Sequence, residues 1–287
     1  MNHFLLLFAT FSLSTLHGSE EALLQERKQS AKTSADFRWK KLKSSNKNVT
    51  DYCKQCSQIL LQKGQEHFNK SLSVENKNKL SSFKVIPQQR TENYIPLRTV
   101  GLEPIVCYVK KKLVPQFNIS GPVVFKVFHS LNPFLLRGER TSKTVFLPSA
   151  FTTLSFNEQV ASISHELGHL TEPAEIVRVS NFSKKLLYEK SSDKKEHAGA
   201  IYLSHHIELN ADITAAIIGG AKTAKHLASF LWKGNKHLKG SLESQDYVSK
   251  MHPNPLDRIE ILTTIQNLFE LEEFAKQTVS QTESPHD

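Results

Sequence analysis

In the stretch SISHELGHLTEP, Ser162 to Pro173, two histidines stand four residues apart with a glutamate directly after the first: His165, Glu166, His169. Four residues is close to one helical turn, so both imidazoles can reach a single ion. Neutral imidazole suits a borderline-soft ion such as zinc, and two histidines leave space for a third protein ligand and an open position for water. An ion in that setting lowers the pKa of water toward about 7. Glu166 lies one step round the helix from His165, near enough to take the proton without binding the ion. The pattern His-Glu-x-x-His on a helix is therefore that of metal-assisted peptide hydrolysis: activated water attacks the carbonyl, and the glutamate passes its proton to the leaving amine.

A third ligand is needed. The segment HHIELNADITAAIIGG, His205 to Gly220, places Glu208 and Asp212 one turn apart on a helix that is apolar on most sides. Such a helix is buried, and buried carboxylates are costly unless paired or bound to metal. An ion bound by Glu208, with Asp212 hydrogen-bonded to a ligand histidine, satisfies both. His205, three residues before Glu208 on the same face, is the rival ligand; otherwise His205 and His206 read as ordinary polar residues. A metzincin site would need Gly at position 172 and His at position 175, where this chain has Glu172 and Glu175, so that class is excluded.

Taken together, HELGH (His165 to His169) and ELNAD (Glu208 to Asp212) resemble the HtpX and type I CAAX prenyl protease family of gluzincin metallopeptidases, whose pattern is His-Glu-x-x-His followed by Glu-x-x-Ala-Asp. The order of elements before the motif is similar, in TVFLPSAFTTLSFNEQVASISHELGHL (Thr144 to Leu170). A third likeness is MHPNPLDRIEIL (Met251 to Leu262), with His252, Pro253, Arg258 and Ile259 at the positions where the family carries His-Pro and then Arg-Ile at a helix start. The resemblance covers about residues 95 to 275. It implies one zinc ion held by His165, His169 and Glu208, Glu166 as general base, and Asp212 behind the ligands. It further implies that His252 and Arg258 lie near the cleft, orienting the site or stabilising the oxyanion. The chain is most similar to the soluble envelope members, which implies unfolded or envelope proteins as substrates. A catalytically latent zinc-binding or chaperone-like envelope protein is the alternative reading, since the basic N-terminal segment or the polar stretch after His169 can cover the cleft.

The elements that must position these residues follow from pattern. Ser155 as N-cap with Glu158 three residues on is a capping box. The helix then runs to about Leu170, where Thr171-Glu172-Pro173 discourages it. On it Phe156, Val160, Ile163 and Leu167 share one face, and the two histidines lie roughly opposite. Further helices are expected over about 198–218, 221–233 and 255–277; in the last, Asn254 caps, Pro255 opens and Asp257 complements the dipole. The runs PIVCYVKKKLV, GPVVFKVFHSL and KTVFLPSAF are β-branched and aromatic, bounded by Pro, Gly and Asn, and are expected as short strands. Ser180 to His197 is polar and expected as a loop that can hold a short helix. Before residue 85, Tyr52, Cys56, Ile59, Leu60 and Phe68 recur at helical spacing.

The expected fold is α+β: a zincin-like, mostly helical metallopeptidase domain (91–278) with a small sheet bordering the cleft. It is preceded by a basic helical segment (19–90) and followed by a disordered tail (279–287). The 287 residues suffice for a sizeable core. An apolar run from Phe4 to Leu16 is too short for a membrane span and suits a signal peptide of residues 1–18, so export to a periplasmic or secreted location is expected. The net charge of +9 fits peripheral contact with an anionic membrane surface. No nucleic-acid motif accompanies it, so no nucleic-acid partner is expected. Cys53 and Cys56 form a CxxC without a βαβ context or a second pair, which argues against redox and zinc-ribbon roles and leaves a disulfide open. Asn48, Asn69, Asn118 and Asn181 are Asn-x-Ser/Thr sites, relevant only where the source glycosylates.

Overall fold

The computed structural model describes residues 48–85, 93–189, 193–238 and 251–282. The expected leader (1–18), the start of the basic segment (19–47) and residues 283–287 of the expected tail lie outside the described residues. Seven α-helices and four strands are described: α1 (Val49–Ser71), α2 (Val74–Ser82), β1 (Tyr94–Ile95), α3 (Glu103–Tyr108), β2 (Val124–Phe128), β3 (Arg137–Glu139), β4 (Thr144–Pro148), α4 (Phe156–Leu170), α5 (Ala174–Tyr188), α6 (Lys194–Leu238) and α7 (Pro255–Thr282). This is an α+β architecture, mostly helical, with one small mixed sheet in the order β1-β2-β4-β3. Among the described residues no helix is long and apolar enough to cross a membrane.

In the sheet, β2 runs parallel to β4, while β1 and β3 are antiparallel edge strands. One face of β2 and β4, with Phe125, Val127, Val145 and Leu147, packs on Ile163, Leu167 and Leu170 of α4. The apolar stripe of α4 therefore seats the helix beneath the sheet, as its periodicity requires. Only the first residue of the stripe departs: Phe156 is exposed and meets the ring of Tyr108 edge-on at 5.2 Å. The capping box is present: Ser155 accepts from the Glu158 backbone, and the Glu158 carboxylate accepts from the Ser155 N–H.

α6 is the central helix. Leu209, Ile213, Ala215 and Ala216 pack with Cys53 and Leu60 of α1 and with Ile261, Leu262 and Ile265 of α7. Ile201, Leu203 and Ile207 pack with Phe68 of α1 and with Val179 and Phe182 of α5. The helical residues between 49 and 82 thus share a core with the site. Cys53, Ser57, Leu60, Gly64 and Phe68 form the buried stripe of α1, a face turned slightly from the one its apolar spacing suggests, because Ile59 is exposed and Ser57 is covered. Cys53 and Cys56 are both free thiols on this helix, and burial pushes Cys53 up to about 12. The helices expected over 198–218 and 221–233 are two arms of α6 joined at Gly220, whose backbone (φ 63°, ψ −161°) is essentially confined to glycine.

One expectation fails and a second is extended. Pro104 to Val114 is helical, as α3 followed by a wider turn at Val109–Leu113 and a tighter one at Val114–Gln116. Its buried residues, Ile105, Val106, Val109 and Leu113, recur at helical period. Pro104 sits in the first turn, where its missing N–H costs nothing. Composition suggested a strand and periodicity outweighed it. Likewise Ser180 to Tyr188 continues α5, because Val179, Phe182, Leu186 and Leu187 form a buried helical stripe among the lysines.

Candidate metal centre

α4 and α6 cross close to the two motifs. Gly168 makes the approach possible: a Cβ there would lie 2.9 Å from the Ala211 carbonyl oxygen. Across this crossing the three sequence-assigned ligands converge. His165 Nε2 lies 3.3 Å from Glu208 Oε2, and His169 Nε2 lies 3.3 Å from Glu208 Oε1. All three residues are buried, and together they form the group among the described residues that could hold a metal ion. His205, the rival ligand, is not in that group. It and His206 are both buried, unlike ordinary polar residues, and His206 Nδ1 lies 2.8 Å from the Tyr202 carbonyl oxygen.

The other ring nitrogens meet carboxylates, and at His169 the Arg140 Nη2 also stands 2.9 Å from Nδ1. His165 Nδ1 lies 2.7 Å from Asp212 Oδ1, and His169 Nδ1 lies 2.8 Å from Glu172 Oε1. In neutral rings whose Nδ1 protons are given to those carboxylates, both Nε2 lone pairs face the Glu208 oxygens. Acceptors converging on one point are stabilised by a cation. The spacing agrees: an ion held at 2.0–2.1 Å by tetrahedral ligands sets the ligand atoms about 3.3 Å apart.

Each outer carboxylate is held by an arginine, Arg258 buried and Arg140 half-buried. Arg258, in the first turn of α7, donates from Nε to Asp212 Oδ2 and from Nη2 to Asp212 Oδ1, both at 2.7 Å. Arg140, in the β3–β4 turn, donates from Nη2 to Glu172 Oε1 at 3.2 Å, brings Nε to 2.9 Å from Glu172 Oε2, and donates from Nη1 to Ser180 Oγ at 3.0 Å. Lys143 of the same turn donates to the Leu170 carbonyl at 2.9 Å, closing the C-terminal end of α4. The Glu172–Arg140 pair was not legible, because neither residue belongs to a motif and each faces the other across the fold.

The sequence assigned Arg258 two roles, and its position on Asp212 is that of an orienting group. His252 Nδ1 lies 2.8 Å from Glu208 Oε2, so it too touches the ligand set. Asn254 accepts from the Leu256 N–H and begins the helix that carries Arg258. Glu166 is buried against the edge strand: a Cβ on Gly138 would lie 3.0 Å from Glu166 Oε2 and 3.2 Å from its backbone oxygen.

The electrostatics of the bare protein match a cation site. Burial alone would depress the His165 imidazole, but Asp212 and then Glu208 raise it to about 10. Burial would raise the Glu208 carboxyl, yet His252, His169 and His165 hold it well below the usual carboxylate range. Asp212 is lowered likewise, against burial, by Arg258 and His165. The site thus concentrates negative charge and draws protons onto the nitrogens that would bind an ion.

No protein-family model, curated protein or solved structure matches this chain.

Proposed function

We propose that the chain is an exported zinc-dependent metalloendopeptidase with a zincin-like domain, similar in its site to the HtpX and type I CAAX prenyl protease family. The observation that carries this reading is the meeting of His165, His169 and Glu208 at ligand spacing beside Glu166 and an edge strand. His165, His169 and Glu208 would hold one zinc ion, which when bound lowers the pKa of water and polarises the scissile carbonyl. Glu166 takes the proton from water and passes it to the leaving amine. Asp212 and Glu172 hold the two imidazoles in the tautomer that offers Nε2. Arg258 keeps Asp212 ionised and oriented, and His252 steadies Glu208.

The edge of β3, unpaired among the described residues, supplies main-chain partners for an extended peptide, so recognition rests on backbone more than on side chains. That suits unfolded proteins, including those of a cell envelope. The basic charge suits a working position at an anionic surface.

The test compares the full chain with Glu166→Gln on an unfolded protein, with zinc measured in both. Zinc in both and cleavage by the parent alone is the expected result. Cleavage retained by Glu166→Gln overturns the reading. Zinc in both with cleavage by neither favours the latent, chaperone-like alternative.

A further inference from the structure

The second arm of α6, residues 221–238, has two unlike faces. Ala224 and Leu227 are buried in the cluster that holds Ile261 and Ile265 of α7, and Ala228 and Leu231 pack against it. The opposite face carries Lys222, Lys225, Trp232, Lys233 and Lys236, all exposed. Steps of three, four and seven residues relate them, so they form one stripe along the arm. No Asp or Glu occurs between residues 221 and 238.

Neighbouring elements do little to neutralise this stripe. Lys222 and Lys225 have no ion pair among the described residues. Lys236 sets its Nζ 4.9 Å from the centre of the Trp232 ring. Lys233 alone meets a carboxylate, Glu158 Oε1 at 2.7 Å, and its side chain stays half exposed. Four ammonium groups therefore stand against one carboxylate.

The surface is apolar as well as basic. Trp232 is 43% exposed within the stripe. The loop between β2 and β3 is pinned to the flank of the arm. Its Phe134 ring lies 5.3 Å from that of Phe230, and a Cβ on Gly234 would lie 3.3 Å from the Phe134 ring. Leu131 and Leu135 of this loop nevertheless stay exposed, at 85% and 48%. Lysines beside a tryptophan and exposed leucines suit an interface that is anionic at its surface and apolar just beneath, which is the chemistry of a lipid headgroup layer. Nucleic acid would match the charge and leave the leucines without a partner.

We propose that this face of α6 is the surface by which the protein lies on a bilayer of anionic lipid, with the lysines on the headgroups, the Trp232 ring at headgroup level and the Leu131–Leu135 loop beside it. This rests on the anionic-surface contact named above and not on the metal chemistry.

The experiment uses the full chain as Trp39→Phe, which leaves Trp232 as the one tryptophan. It is mixed with vesicles of phosphatidylcholine alone, or of equal parts phosphatidylcholine and phosphatidylglycerol, each with and without brominated acyl chains. Cosedimentation and tryptophan emission are the readouts. Binding to the anionic vesicles is expected, with Trp232 emission shifted to the blue and quenched by bromine. Raising the salt should weaken it. In Lys222→Gln/Lys225→Gln/Lys236→Gln on that background, binding should fall about 100-fold, at about fivefold for each lysine, with the circular-dichroism spectrum unchanged. Equal binding to phosphatidylcholine alone, or unaltered binding and quenching in the triple variant, overturns the proposal. Bound protein with Trp232 unquenched means that another segment makes the contact, and overturns it too. Duplex DNA is the remaining probe. DNA binding that the triple variant loses, without vesicle binding by the parent, gives the face to nucleic acid and refutes the bilayer. Vesicle binding without cleavage of an unfolded protein leaves this face standing and counts against the peptidase reading; cleavage without vesicle binding does the reverse.

Discussion

Gly168 and the backbone of Ala211 stand so close that a Cβ on the glycine would lie 2.9 Å from the Ala211 oxygen and 3.2 Å from its Cα. Both are motif residues, one in HELGH and one in ELNAD. Their smallness has a geometric purpose: it lets α4 and α6 approach until Nε2 of both histidines and the Glu208 carboxylate reach ligand spacing. Gly168→Ala sets two effects against each other. Helix propensity favours alanine by about 1 kcal/mol. Overpacking against backbone, which cannot rotate away, costs about 1–3 kcal/mol. The expected result is a lower denaturation midpoint together with weaker zinc binding, measured by chemical denaturation and competition with a chelating dye. Unchanged values for both would mean that the helices part without disturbing the ligands.

Glu172 stands to His169 as Asp212 stands to His165, and Arg140 stands to Glu172 as Arg258 stands to Asp212. Removing a carboxylate that holds a ligand imidazole typically weakens metal binding about 10–100-fold. Glu172→Gln is expected to fall in that range while keeping the helical circular-dichroism spectrum. Arg140→Lys is expected to weaken binding less, since a lysine keeps the charge but loses the fork. Zinc affinity equal to that of the parent in Glu172→Gln would remove the carboxylate from this role.

This second pair marks where sequence reading stops. The capping box, the apolar stripe of α4, the His165–His169 pair and the Glu208–Asp212 pair each lie in a local pattern at helical spacing, whereas joining the two pairs into one candidate ligand set took the cost of buried carboxylates and the family resemblance, with His205 as the rival. Glu172 looked like part of a helix stop, because its partner Arg140 arrives from a hairpin turn 32 residues earlier. Gly138 was unremarkable as a residue of a three-residue strand, and only the fold sets it against Glu166. Residues 104–114 were misassigned because β-branched side chains advertise strand while their spacing specifies helix. The lysine-rich second half of α5 hid a buried stripe behind its polarity.

Gly138 predicts a separation of metal binding from turnover. A Cβ there would press on Glu166 at 3.0 Å from Oε2 and 3.2 Å from the backbone oxygen. Because the carboxylate is the far end of a side chain, it yields first, and a displacement of about 1 Å at a reacting group can cost about 100-fold in rate. Gly138→Ala is therefore expected to retain zinc and lose most of kcat on an unfolded protein. Equal loss of zinc and kcat would show that the strand supports the ligands instead of the base.

Glu158 predicts how stability depends on pH well away from the metal. Burial would raise its carboxyl, but the Lys233 ammonium, the Ser155 hydroxyl and backbone N–H, and the Ser229 hydroxyl together bring it down to about 2. A carboxylate whose folded pKa lies below its unfolded value of about 4.3 contributes stability above that value. The contribution is lost as pH falls from about 4.3 through to about 2, where both states are protonated. Glu158→Gln keeps an amide oxygen that can accept from the Ser155 N–H but removes the charge that pairs with Lys233, and is expected to lower unfolding free energy at pH 7 by about 1–3 kcal/mol. The gap between parent and variant should then narrow as pH drops through that window, and part of it should vanish in high salt because Lys233 is half exposed. The check is urea denaturation of both proteins between pH 7 and pH 2.5. Curves that stay parallel over the whole range would mean that Glu158 supports the start of α4 through shape alone.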